Sequence, residues 1–199
     1  IKYYYALYQF ILKEDIMIGW IILAIVVVIA IVLIVIYNQL VTLRQRVQNA
    51  WSQIDVQLQR RFDLIPNLVE TVKGYMTHEQ ETLTKVTDLR SAWADAKTVE
   101  QKAELEGQLT ETLKTIMAVA ENYPNLKADQ SFNNLQAELS DTENKISYSR
   151  QFYNDTVTMY NTKLETFPSN LVAGMFGFKA STLFNVDNDE AKKAVKVEF

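Results

Sequence analysis

An uninterrupted apolar run near the N-terminus constrains this chain more than any other sequence feature. Residues 17–37 read MIGWIILAIVVVIAIVLIVIY and contain no charged or amide side chain. About 20 consecutive apolar residues are enough for a helix to cross the hydrocarbon core of a bilayer. A buried core helix seldom runs this long without a polar position, and a secretory signal peptide has a shorter apolar region that leads to a cleavage site with small residues. The run therefore predicts an uncleaved transmembrane helix over residues 17–37.

The basic residues that flank this run predict its orientation. On its N-terminal side lie only Lys2 and Lys13. On its C-terminal side lie four arginines, Arg44, Arg46, Arg60 and Arg61. Because loops rich in Lys and Arg stay in the cytoplasm, we expect a single-pass protein of the cell membrane, with its N-terminus outside and its C-terminal domain in the cytoplasm.

The first 16 residues, IKYYYALYQFILKEDI, allow two interpretations. An aromatic stretch of this kind can lie on a membrane surface as an amphipathic segment. Alternatively, the Lys-Glu-Asp of residues 13–15 can be encoded by a purine-rich bacterial ribosome-binding sequence placed shortly before an ATG codon for Met17. We hypothesise that translation naturally starts at Met17 and that residues 1–16 are a leader that is not native. The intact mass of the native protein tests this hypothesis, and a mature chain that retains these residues would contradict it.

Beyond residue 37, apolar residues recur at the three-and-four spacing of amphipathic helices. The first stripe runs from Leu40 to Phe62 and continues the apolar run without a break, and the second runs from Ile65 to Trp93. Pro66 lies between them, where it fits the first turn of a helix but not a helix interior. The sequence leaves open whether the chain turns over residues 63–66 or whether one very long helix kinks there.

Two further helices follow, and both have recognisable ends. Thr98 and Gln101 form a capping box that predicts the start of the third helix, which ends at Pro124. A fourth helix is predicted to begin near residues 129–131 and to end at Pro168. No alternating strand pattern appears. We therefore predict an all-α protein, in which an N-terminal transmembrane helix precedes an antiparallel, up-and-down four-helix bundle over residues 38–167.

The helical pattern breaks after Pro168, in a Phe- and Gly-rich segment that begins SNLVAGMFGFKASTLFNV. Phe176, Phe178 and Phe184 either cap one end of the bundle or form an apolar docking patch for a partner. The remainder of residues 168–199, from residue 187 onward, has mixed charge and is predicted to be a frayed tail.

Composition excludes most site chemistry. The chain has no cysteine, one histidine and five glycines, so we predict no catalytic residue, no cofactor and no metal. His78 is followed by Glu79, but a zincin helix needs a second histidine at position 82, which is Thr82. The better interpretation of His78 is a surface histidine on a charged helix face. A net charge of −4 also argues against nucleic acid as a partner.

The densest group of polar residues surrounds the junction between the first two predicted helices. We take as candidates the eight charged or amide residues Asp55, Arg60, Arg61, Asp63, Asn67, Lys73, His78 and Glu79. They are interpreted either as a structural ion-pair network with surface pairs one helical turn apart, or as a recognition surface. Nothing among them resembles an acid and base paired with a nucleophile.

The same region closely resembles the LemA family of bacterial membrane proteins. The resemblance rests on AWSQIDVQL at residues 50–58, RRFDLIPNLV at 60–69, VKGY at 72–75 followed by His78-Glu79, and the later pairs Tyr123-Pro124 and Phe167-Pro168. It extends from Met17 to about residue 185 and does not include the leader. It implies a four-helix, up-and-down bundle behind a membrane anchor, with a short N-terminus outside the cell. The family has no established enzymatic reaction, so the resemblance assigns no role to the matched polar residues.

We therefore expect a membrane-anchored, non-enzymatic scaffold or interaction module rather than an enzyme. Its expected partners are the lipid bilayer and a membrane-associated protein or a second copy of the chain. The alternatives are a bundle that senses a ligand or a lipid, and an accessory factor of a membrane protease, since some LemA proteins are thought to be linked with such proteases.

Overall fold

Helices account for nearly all of the chain that can be described. The computed structural model describes residues 2–76 and 78–185, with side chains from Met17 onward. Its helices are α1 (Lys2–Asp63), α2 (Ile65–Lys73), α3 (Gln80–Asp95), α4 (Val99–Ala120), α5 (Pro124–Ala128), α6 (Gln130–Glu165) and α7 (Ser169–Met175). The described residues include no strand. The predicted all-α class is confirmed, with a long apolar N-terminal helix followed by helices that pack against one another.

Helix α1 carries the apolar run and continues without interruption into the polar part of the chain. Among the described residues, it provides the one stretch of helix that is long and apolar enough to cross a membrane. The large apolar side chains of this stretch are exposed, from Ile18 through Val35. Burial begins at Ile36 and recurs at Leu40 and Val47, as the predicted first stripe requires.

The junction between α1 and α2 is a break of one residue. Leu64 keeps right-handed helical angles, with φ −77° and ψ −18°. Its N–H donates to the carbonyl of Arg61, and the N–H of Leu68 donates to the carbonyl of Leu64. Pro66 lies in the first turn of α2, where its missing N–H leaves no helical hydrogen bond unmade. Of the two alternatives that the sequence left open, this geometry favours a kink over a turn.

The second predicted stripe is divided between two helices, so the expectation of one helix from Ile65 to Trp93 is wrong. Helix α2 ends at Lys73, and α3 begins at Gln80. Gly74 follows α2, and glycine is costly in a helix interior. Met76, two residues after Gly74, is buried and anchors the connection between α2 and α3 to the core. His78 consequently lies in this connection and not on a helix face as predicted.

The predicted capping box at the start of α4 is confirmed. Thr98 Oγ1 accepts a hydrogen bond from the backbone N–H of Gln101, and Gln101 Oε1 accepts one from the backbone N–H of Thr98. The helix ends at Ala120, and Pro124 opens the short helix α5. Asp129 precedes α6 and accepts hydrogen bonds from the backbone N–H groups of Ser131 and Phe132.

Removing the Thr98 cap gives a small and specific prediction. We expect Thr98→Ala to lower the free energy of unfolding by about 1 kcal/mol, because the N–H of Gln101 loses its acceptor. Thr98→Ser keeps the hydroxyl and should remain within a few tenths of a kcal/mol of the parent protein. Urea denaturation followed by circular dichroism in detergent measures both variants. An equal loss in the two variants would show that the methyl group of Thr98, and not its hydroxyl, stabilises this end of α4.

Residues 169–175 form helix α7, although the sequence predicted that the helical pattern breaks at this point. Its buried residues, Val172 and Ala173, pack against Ile36 and Leu40, and this contact supports a helix too short to show a periodic pattern. The predicted tail from residue 187 onward lies outside the described residues.

Contacts divide the chain into two units, each with its own core. Among the described residues, one unit comprises residues 2–45 and 160–180, and the other comprises residues 46–76, 78–159 and 181–185. In the first unit, Phe178 packs on the cluster of Ile36, Leu40, Val172 and Ala173. In the second unit, Phe62 of α1 stacks on Trp93 of α3, with ring centroids 4.4 Å apart.

Residues 181–185, which belong to no helix or strand, pack in the second unit. The Phe184 ring is fully buried, with its centroid 5.9 Å from that of Trp51. Asn154 of α6 holds the backbone of Phe184 from both sides, accepting a hydrogen bond from its N–H at 2.9 Å and donating one to its carbonyl at 3.2 Å. Phe184 is therefore part of the core of the second unit, and Phe178 packs against the core of the first unit. Phe176, in contrast, is 59% exposed.

Candidate functional site

The most unusual polar feature of the second unit is an ionic group on three helices, which we call the Arg61 group; Arg61 and Glu106 are buried in it, whereas the Glu143 side chain is 43% exposed. It consists of Arg61 on α1, Glu106 and Thr110 on α4, and Glu143 on α6. The Arg61 guanidinium pairs with both carboxylates and donates a hydrogen bond to Thr110 Oγ1 at 3.1 Å. Arg61 is 4% exposed and Glu106 is 2% exposed. Charged side chains are almost never buried this fully unless they are paired.

The sequence places Arg61 on the inner side of α1 because its neighbour Phe62 continues the buried stripe. Leu58, Phe62 and Ile65 are all fully buried, and the side chain of Arg61 enters the core beside them. Glu106 occupies a comparable position on α4, three residues from buried Ala103 and three from buried Leu109. Helical periodicity therefore directs the side chains of Arg61 and Glu106 into the core. There they form an ion pair with each other, and Arg61 also pairs with Glu143.

Burial raises the pKa of the Glu106 carboxyl from 4.5 to about 7. Desolvation is the largest cause, since it penalises the charged carboxylate. The Arg61 charge opposes this shift, and the Glu143 charge adds to it. Two carboxylates share one guanidinium, so the Arg61 group is electrically neutral when Glu106 holds a proton and carries one negative charge when it does not.

A second charged contact lies between α1 and α4. Lys102 Nζ pairs with the Asp55 carboxylate and stands over two indole rings, 4.8 Å from the centroid of Trp93 and 5.7 Å from that of Trp51. An ammonium within about 6 Å of an aromatic ring face is attracted by the ring quadrupole. Trp93 also donates its indole N–H to Gln59 on α1 at 3.1 Å. These contacts join Asp55 to the aromatic core and not to the Arg61 group.

The connection between α2 and α3 is held by two tyrosine hydroxyls. Tyr75 donates to Asp129 Oδ2 at 3.1 Å, and Tyr123 donates to both carboxylate oxygens of Glu79, at 2.9 and 3.0 Å. The hydrogen bonds to the carboxylates raise the pKa of both tyrosines. The pKa of Asp129 is lowered, chiefly by the hydrogen bond from the backbone of Phe132. Glu79 also accepts the backbone N–H of its neighbour His78 at 3.1 Å.

The remaining predicted site residues make separate contacts. Arg60 pairs with Glu138 at 3.8 Å, and both side chains are about half exposed. Asp63 accepts a hydrogen bond from Gln59 one turn earlier, at 2.9 Å. The carbonyl of Asn67 accepts from the Thr71 hydroxyl, and Lys73 lines a surface groove with Ile65, Pro66 and Val69. Of the eight predicted residues, His78 and Glu79 contact each other, and the others make the separate contacts described above.

Arg61 is among the residues predicted from the sequence, but its ion-pair partners Glu106 and Glu143 are not. Glu106 lies on the buried face of α4, and Thr142 and Glu143 lie where the apolar stripe of α6 skips from Leu139 to Ile146. A gap of seven residues in a stripe of threes and fours signals that polar side chains occupy the interior there. Lys102 gave no such signal, because a lysine near a helix start ordinarily lies in solvent.

Within residues 17–76 and 78–185, no group of three or more His, Cys, Asp or Glu side chains could hold a metal ion. The Arg61 group itself contains two carboxylates, but the guanidinium that separates them occupies the place where a cation would bind. The chemistry that the Arg61 group supports is the gain or loss of one proton at the buried Glu106 carboxyl.

Comparisons with known proteins identify a family and several relatives of this chain. Residues 50–199 match the model of the LemA family. Protein LemA of Metamycoplasma hominis is 30% identical over 162 residues, which cover 78% of this chain and 74% of that protein. Magnetosome protein MamQ 2 of Paramagnetospirillum magneticum is 26% identical over 174 residues, covering 74% of this chain and 64% of the relative. Magnetosome protein MamQ of Magnetospirillum gryphiswaldense is 25% identical over 175 residues, covering 75% and 64%.

The family match includes α2 to α7, the C-terminal part of α1 and every residue of the Arg61 group. The match spans less than two thirds of either MamQ protein. The family model and the relative at 30% identity lead to the same assignment, and the chain belongs to the LemA family.

Proposed function

We propose that this LemA-family protein is a membrane-anchored, non-enzymatic interaction module. In this proposal, the apolar part of α1 crosses the cell membrane once. The N-terminus is outside, and the C-terminal domain lies in the cytoplasm and binds a membrane-associated protein or a second copy of the chain. The net charge of −4 makes nucleic acid an unsuitable partner.

The observation that supports this proposal most strongly is the change of environment along α1. Over Ile18 to Val35 its large apolar side chains are exposed, whereas from Val47 to Phe62 its apolar stripe is buried in the second unit. One continuous helix therefore carries both a surface that water cannot solvate favourably and part of a folded core. A lipid bilayer is the medium that matches the length and composition of the exposed part.

Helix α6 offers a surface for a protein partner in the second unit. Tyr148, Phe152 and Met159 are 76%, 49% and 59% exposed. At about 100° per residue, these three side chains fall within roughly 40° of one another around the helix. They lie opposite the buried residues Tyr153 and Val157. Aromatic side chains and Met are enriched in protein interfaces, so we assign partner binding to this stripe, which we call the α6 stripe.

Topology can be tested without background labelling because the chain has no cysteine. We expect a single cysteine at Lys114, an exposed position on α4, to be protected from a membrane-impermeant maleimide in intact cells and labelled after permeabilisation. A cysteine at Ile25, within the apolar run, should resist labelling in both states. Labelling of the Lys114→Cys variant in intact cells would reverse the proposed orientation, and labelling of Ile25→Cys would contradict the anchor.

Partner binding is tested by photo-cross-linking in the native membrane. We expect a benzophenone amino acid at Tyr148 to give a discrete cross-linked species, identifiable by mass spectrometry as a second copy or a membrane-associated protein. The same probe at Lys114, on α4, is the control and should give none. A chain that yields only monomer from both positions, at expression levels near the native one, would contradict the interaction module.

A further inference from the structure

Helix α7 is apolar on two sides, although only one of them is packed. Its inner side places Val172 and Ala173 on α1. Its outer side carries Leu171 and Met175, one turn apart and 56% and 71% exposed, and Phe167 just before the helix is 81% exposed. An apolar surface of this kind, on a helix whose other face is already buried, indicates a second binding surface.

The position of α7 along α1 indicates what covers this outer side. The inner side packs against Ile36 and Leu40, the first buried residues after the exposed apolar run. Phe176 at the end of α7 lies with its ring centroid 4.8 Å from that of Tyr37. Helix α7 therefore packs on α1 at the level where the predicted membrane span ends.

Charge in the same unit fits a headgroup region. Arg44 stands over the Phe178 ring at 5.2 Å from its centroid. Among the side chains described in this unit, the charged ones are Arg44, Lys163, Lys179 and Glu165, so cations exceed carboxylates by two. Apolar side chains flanked by Lys and Arg are typical of segments that lie at the boundary between acyl chains and anionic headgroups.

We propose that α7 is a second membrane contact, an interfacial helix whose outer side chains Leu171 and Met175, together with Phe167 just before the helix, insert into the leaflet where the apolar run of α1 ends. This proposal rests on the proposed membrane anchor. The occupant is lipid and not a protein, because α7 packs on α1 directly where the exposed apolar run ends and because cations exceed carboxylates among the side chains described in this unit. Tyr37 and Phe176 then form an aromatic pair at the interface, where amphipathic rings are enriched.

Depth-dependent quenching tests this proposal on the full chain. The Met175→Cys variant carries an NBD fluorophore and is reconstituted into vesicles of phosphatidylcholine and phosphatidylglycerol in equal parts. A fraction of the lipid bears a nitroxide either near the headgroup or near the end of the acyl chain. We expect blue-shifted emission and a loss of fluorescence that is larger with the shallow nitroxide. Lys114→Cys, the control on α4, is also exposed but lies in the domain proposed to be cytoplasmic, and it should not be quenched by either lipid.

A third probe separates the failure of this proposal from the failure of the anchor. Ile25→Cys lies about 12 Å into the apolar run and should be quenched more by the deep nitroxide. If Ile25→Cys is quenched and Met175→Cys is not, α7 does not bind lipid although the anchor stands. If neither is quenched, the anchor itself is wrong. Blue-shifted emission from Met175→Cys without quenching would mean that protein covers α7, and this result would also overturn the proposal.

Discussion

Replacing Arg61 by leucine is expected to lower the free energy of unfolding by about 3–5 kcal/mol, because it leaves Glu106 and Glu143 without their shared guanidinium. Leucine fills part of the space but compensates neither carboxylate. For a chain of this size the loss corresponds to a melting temperature lower by roughly 6–20 °C. Thermal unfolding in detergent, followed by circular dichroism at pH 8, measures it.

The adjacent arginine supplies a matched control. Arg60 carries the same charge one residue earlier, but its side chain is 48% exposed and its ion pair with Glu138 is 3.8 Å long. We expect Arg60→Leu to cost less than about 1 kcal/mol. Losses of equal size in the two variants would mean that the Arg61 group does not contribute as a buried unit.

This contrast also shows how far the sequence predicts the site. Arg60 and Arg61 are adjacent in a motif, and the sequence alone could not decide which of them faces the core. Phe62 and Leu58 define the buried stripe of α1. A charged side chain at the edge of this stripe enters the core only if other helices supply side chains that compensate its charge. Those partners, Glu106 and Glu143, lie 45 and 82 residues away along the chain, and no local pattern links them to Arg61.

The fold was more predictable where local chemistry decides the structure. The apolar run, the capping box at Thr98 and the continuous first helix follow from composition and spacing, and each is present. The break at residues 74–79 and helix α7 depend instead on tertiary contacts, namely the hydrogen bond from Tyr123 to Glu79 and the packing of Val172 on Ile36 and Leu40. A periodic pattern cannot reveal a contact between distant segments.

Stability should depend on pH through Glu106. Its carboxyl has a pKa of about 7 in the folded protein and an ordinary value of 4.5. Between these values the folded state holds a proton that the unfolded state has released. The free energy of unfolding therefore falls as the pH rises from 4.5 to 7, and it is no longer changed by Glu106 above that window. The difference in pKa corresponds to about 3 kcal/mol. Most carboxylates that form ion pairs act in the opposite direction, because their pKa is lowered on folding.

The Glu106→Gln variant isolates this contribution, since a glutamine amide resembles the protonated acid and can still accept a hydrogen bond from Arg61. We expect the variant to match the parent protein near pH 4.5 and to exceed its stability by about 3 kcal/mol near pH 8. Urea denaturation in detergent across this range measures the difference. Glu111→Gln, the control on the same helix, removes a carboxylate that is 61% exposed and should change the free energy of unfolding by less than about 1 kcal/mol at pH 8. If Glu106→Gln instead loses stability at pH 8, the ionised carboxylate of Glu106 stabilises the core, and the neutral form of the Arg61 group is not the one that folding favours.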